Sequence, residues 1–83
     1  MKKLPLVSGI EIIKALHKAG FIVTRQKGSH VRLKKVSGEK VIKITVPLHK
    51  TIRKGTLKKI LEVAEISVDE FLELLKNKNT SKK

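Results

Sequence analysis

Residues 30 to 46 alternate apolar and polar side chains around a central turn. Such a run fits an antiparallel hairpin with one buried face and little else. If the chain reverses at Ser37-Gly38, then Val31, Leu33, Ile42, Ile44 and Val46 lie on one side, and His30, Arg32, Lys43 and Thr45 on the other. In that register Leu33 faces Ile42, Val31 faces Ile44, Ser29 faces Val46, Arg32 faces Lys43 and His30 faces Thr45, while Val41 joins Lys34. Strand side chains repeat with period two, so a slip of one residue would turn the whole apolar set to solvent. The reading is therefore two strands, His30 to Lys35 and Lys40 to Val46, with Pro47 ending the second because it has no N–H to give the ladder. One face of this sheet is core. The other face, which carries His30, is wet.

The flanking segments supply the rest of the fold. Ser8 and Glu11 have the spacing of a capping box, Ile12, Ile13, Leu16 and Ala19 form an apolar stripe, and Gly20 supplies a C-terminal stop. Phe21 to Gln26 is β-branched and aromatic, which predicts a strand broken by Lys27-Gly28-Ser29. A second helix follows Gly55-Thr56 on Leu57, Ile60, Leu61 and Ala64. Ser67 with Glu70 opens a third, with Val68, Phe71, Leu72 and Leu75 as its stripe. The expectation is an α+β fold of order α-β-β-β-α plus a short C-terminal helix, with the helices on one face of a three-stranded antiparallel sheet. Double-stranded-RNA-binding domains share that order.

A chain of 83 residues predicts one domain, placed at 1–76, with 77–83 as a disordered basic tail. Cysteine is absent, which fits a reducing cytoplasm, and no apolar run approaches the ~20 residues of a membrane span. The N-terminus lacks the apolar stretch of a signal peptide, so a soluble cytoplasmic protein is expected.

Charge narrows the partner. The net charge is +13, and between Ile12 and Leu61 fourteen Lys and Arg accompany a single carboxylate, Glu39. Glu62 to Leu75 reverses this, with Glu62, Glu65, Asp69, Glu70 and Glu73 and no cation. A basic body of this kind suits a polyanion, and nucleic acid above a membrane, because no segment has the amphipathic aromatic face of a membrane helix.

Candidate chemistry centres on Arg25-Gln26-Lys27-Gly28-Ser29-His30-Val31-Arg32. It combines phosphate-binding groups with the one side chain that ordinarily titrates near neutrality, and contains no carboxylate. RNA carries its own nucleophile in the ribose 2′-hydroxyl. A general acid or base plus charge stabilisation is then enough for cleavage, the former being worth roughly 10²–10⁴-fold. His30 is the catalytic candidate, and Arg25, Lys27, Gly28, Ser29 and Arg32 are RNA-binding candidates. Lys54 and Lys58 join them. With Arg53 and Lys59 they put cations at the start of the second helix, which opposes the macrodipole by roughly 0.3–1 kcal/mol each unless an external anion sits there. His49 is an auxiliary candidate, as partner acid or RNA contact, and His17 reads as solvated. No cofactor is implied and no metal site is expected, since the basic body has no His-x₃-His, cysteine or carboxylate cluster. Phe21 and Phe71 are the only aromatics and fall at core positions, leaving no base-stacking platform.

Ser8-Gly9 opening a helix, Ala19-Gly20-Phe21, Arg25 to His30, Val46-Pro47 with His49, and Lys54-Gly55-Thr56-Leu57 before Ile60-Leu61 together resemble the HicA (YcfA-like) family of small toxins. The likeness runs from about Ser8 to Phe71. It implies a double-stranded-RNA-binding-like fold, a ribonuclease that cleaves messenger RNA, and neutralisation by a HicB-type antitoxin in a type II toxin–antitoxin pair. It also places the family's catalytic histidine at His30. A non-catalytic module for double-stranded RNA using the same surface is the competing reading. A DNA-binding regulator is a third.

Overall fold

The computed structural model describes residues 4–76, so the tail expected at 77–83 lies outside the described residues. Helix α1 (Gly9–Lys18) starts on the capping box: Ser8 Oγ accepts from the Glu11 N–H at 3.1 Å, and Glu11 Oε1 accepts from the Ser8 N–H at 2.8 Å. Strands β1 (Ile22–Lys27), β2 (His30–Ser37) and β3 (Lys40–Pro47) follow, then α2 (Lys54–Ala64) and α3 (Val68–Lys76). The strands form one antiparallel sheet in the order β1-β2-β3. The expected α+β architecture and its α-β-β-β-α order are what the chain adopts.

The hairpin register differs from expectation by two residues. Leu33 faces Ile44, Val31 faces Val46, Arg32 faces Thr45, Val36 faces Val41, and His30 faces Pro47 rather than Thr45. The turn is Gly38-Glu39, closed by Ser37 opposite Lys40. Turn geometry explains the shift. Gly38 has φ of +62° while Glu39 has no positive φ, and a glycine in the first central position is what a type II′ turn requires. Reversal at Ser37-Gly38 would put the glycine second. The same glycine-first arrangement recurs between β1 and β2, where Gly28 has φ of +58°. Because the shift is even, each side chain keeps its face.

Val31, Leu33, Ile42, Ile44 and Val46 are buried with Ile12 and Leu16 of α1 and Leu57, Ile60 and Leu61 of α2. Helices therefore cover one face of the sheet, and the face bearing His30, Arg32, Lys43 and Thr45 is open. Helix α2 begins at Lys54, a turn earlier than its apolar stripe alone suggests. It ends on Glu65, whose φ of 61° is left-handed without the relief a glycine would give. Glu65 pairs with Lys40, tying that helix end to the start of β3. Helix α3 packs on α1 through fully buried Phe71, an amount of burial worth about 2–3 kcal/mol.

The open face is aligned on the helices by the segment between β3 and α2. The Leu48 N–H donates to the Ser29 carbonyl at 2.7 Å, the Gly9 N–H to the His49 carbonyl at 2.9 Å, and the Ile52 N–H to the Val7 carbonyl at 2.7 Å. Gly9 is buried so tightly that a Cβ there would overlap the Pro47 carbonyl oxygen. Gly9→Ala forces backbone apart, and overpacking of this kind costs about 1–3 kcal/mol or more. We expect a loss of at least about 2 kcal/mol in urea unfolding, whereas Gly55→Ala, which meets open space, stays near the parent.

Candidate active site on the open sheet face

β1 reaches the site through an irregularity. Val23 faces Leu33 and Arg25 faces Arg32, so Thr24 is an extra residue bulged out of the ladder. Strict alternation from Phe21 would send Arg25 and Lys27 to the helix side. The bulge switches them to the open face, opposite Arg32 and His30 respectively. The Thr24 hydroxyl donates to the Arg32 carbonyl at 3.4 Å, and Gln26 Nε2 donates to the Gly28 carbonyl at 3.3 Å, bracing the turn beside it.

The result is an open depression of about 510 Å³ lined by Arg25, Lys27, His30, Arg32 and Thr45. Four of the sequence candidates are thus brought together, and Gly28 and Ser29 form the turn that leads into His30. No carboxylate among the described residues lines this basin. Among the described residues nothing hydrogen-bonds the His30 ring, and Arg25, Lys27 and Arg32 have no acidic partner. An unrestrained imidazole among unpaired cations can accept or give a proton while the cations hold an anion.

Thr45 is the site residue that sequence reasoning missed. The sequence register places it opposite His30, as part of the polar face only. The true register sets it opposite Arg32, and it lines the basin. Glycine-first turn chemistry at Gly38 was the signal that could have found it.

The remaining candidates lie elsewhere. His49 lines a second depression of about 360 Å³ with Pro47, Thr51, Ile52, Arg53 and Thr56. Pro47 separates the two, because it is also the strand partner of His30. Lys54 and Lys58 line neither depression and stand exposed on α2, whose first turn has no side-chain cap and no acidic residue. His17, expected to be solvated, is exposed, with Nδ1 3.2 Å from the Phe21 carbonyl. No three His, Asp or Glu side chains among the described residues are grouped as metal ligands. No helix among them is long and apolar enough to cross a membrane.

An α-β-β-β-α chain whose helices leave one sheet face open, and that face cationic, is an α+β protein of the double-stranded-RNA-binding-like order. The particular family is defined by the sequence of this same region: residues 9–66, from α1 past the end of α2, match the family described as the HicA toxin of bacterial toxin–antitoxin. The chain belongs to the HicA toxin family, the toxin side of a toxin–antitoxin system, and this membership implies an antitoxin partner. Among curated proteins, none matches the chain.

Arg25 and Arg32 are directly opposed like charges, which destabilise a sheet. Arg32→Gln should therefore raise stability by a few tenths of a kcal/mol, or roughly 1–3 °C in a thermal melt at low salt. The gain should shrink as salt is added, and retention on an anionic matrix should weaken at the same time.

Proposed function

We propose that the chain is a metal-independent endoribonuclease that cleaves messenger RNA in the cytoplasm, with residues 1–76 acting as one toxin domain and a HicB-type antitoxin neutralising it. The observation that carries this reading is the placement of His30: exposed, unheld by any hydrogen bond among the described residues, and ringed by Arg25, Lys27 and Arg32 without a carboxylate. Membership of a toxin family supports a damaging activity, and the basin supports its chemistry.

In that chemistry the ribose 2′-oxygen attacks the adjacent phosphorus, a base takes the 2′ proton, and the bond from phosphorus to the 5′-oxygen breaks as an acid protonates the leaving oxygen. His30 carries one of these two proton transfers. Arg25, Lys27 and Arg32 hold the phosphate oxygens and stabilise the charge that builds on them. Gly28 and Ser29 let the backbone come close to the strand. His49, across Pro47, contacts RNA beyond the scissile bond or assists as an acid. Lys54 and Lys58 add phosphate contacts from α2 for longer RNA.

His30→Ala tests the assignment against an RNA-binding module that does not cleave. We expect RNA affinity to stay within a few-fold of the parent while cleavage in EDTA falls roughly 10²–10⁴-fold and growth arrest disappears. Equal cleavage by variant and parent would remove His30 from its role. If the parent itself cuts no RNA, the binding-module reading takes over.

A further inference from the structure

The open face carries a second pair of opposed like charges that the site above does not use. Two residues along β2 from Arg32 stands Lys34, and its partner on β3 is Lys43. Neither lysine has an acidic partner among the described residues. Like charges set directly across a strand pair are unfavourable, and here they recur in consecutive rows of one face, Arg25 with Arg32 and then Lys34 with Lys43. A sheet that tolerates the penalty twice in succession is shaped for an anion that repeats along it.

Geometry agrees with charge. A depression of about 330 Å³ is lined by Thr24, Arg32, Lys34, Lys43 and Thr45 together with Leu33 and Ile44. It shares Arg32 and Thr45 with the His30 basin, so the two are continuous. Successive rows of one face are about 6.8 Å apart, two strand residues at about 3.4 Å each, a step comparable with that between neighbouring phosphates in an extended nucleotide chain. In the next row the charge stops, because Val36 faces Val41 and both are exposed.

We propose that Lys34 and Lys43 form a second phosphate subsite, which holds the RNA backbone one row, about 6.8 Å, beyond the phosphate held by Arg25 and Arg32 and two rows from His30, with Thr45 in the row between. The inference rests on the RNA reading above for the class of its ligand, and on the strand register for its position. An acidic protein segment is the other polyanion this row would attract. RNA is favoured because the cationic rows lead without interruption to the His30 basin and match a repeating phosphate.

The test reads binding apart from cleavage. Oligoribonucleotides carrying 2′-O-methyl groups lack the nucleophile and stay intact, so a dinucleotide and a longer oligomer can be titrated onto the full chain over a series of salt concentrations. The parent should prefer the longer oligomer. In the double variant Lys34→Gln/Lys43→Gln that preference should shrink several-fold, and the slope of log affinity against log salt should become shallower by about 0.7–1. A thermal melt no lower than the parent's confirms that the variant is folded, as relief of repulsion predicts. Unchanged affinity and slope for the longer oligomer would overturn the subsite whether or not His30 catalyses. So would a double variant that binds RNA normally but no longer binds the antitoxin, which would make this row a protein-docking surface.

Discussion

The Pro47 carbonyl lies where residue 9 would have a Cβ, and only glycine allows that approach. The close packing brings the Gly9 N–H onto the His49 carbonyl, while the neighbouring Leu48 N–H reaches the Ser29 carbonyl. In this way the start of α1, the exit of β3 and the turn that introduces His30 are held by consecutive backbone groups. None of these bonds uses a side chain of the open face. Those side chains are free to be chosen for charge, and the sheet keeps its position on the helices even where Arg25 and Arg32 repel one another.

This division of labour accounts for the character of the site. Stability comes from the helix-covered side, where Phe21, Leu33, Val46 and Leu57 are buried, and no polar or charged residue among those described is buried with them. On the other side, Arg25, Lys27 and Arg32 have no acidic partner among the described residues, and nothing among these hydrogen-bonds the His30 ring. Such a surface is organised for a ligand that supplies the missing negative charge. A toxin must also be silenced by its antitoxin, and an open basin of cations offers an acidic partner the same attraction it offers a nucleic acid.

Side-chain alternation was enough to identify the buried and open faces, and with them the exposure of His30, because period two survives any even shift of register. That same tolerance hid the register itself. Reversal at Ser37-Gly38 and at Gly38-Glu39 give identical faces and different neighbours, so Thr45 appeared beside His30 when it belongs beside Arg32. The capping box at Ser8 and Glu11 was readable because its bonds span three residues. The depression around His49 was not, since nothing local shows which side of Pro47 its ring occupies. Nor did anything in the run from Phe21 to Lys27 mark Thr24 as an extra residue. A bulge costs the ladder one pairing and leaves the composition of the strand unchanged.

Thr24 acts as a parity bit for β1. With Thr24 bulged out of the count, Val23 opposite Leu33 and Arg25 opposite Arg32 are successive rungs on opposite faces, and in a ladder that counted Thr24 they would share one. What the first strand transmits to the open face is therefore a register as much as a set of side chains. A chain lacking Thr24 would present the same electrical face from a regular ladder, whereas the same residues paired without the bulge would turn their cations toward the helices.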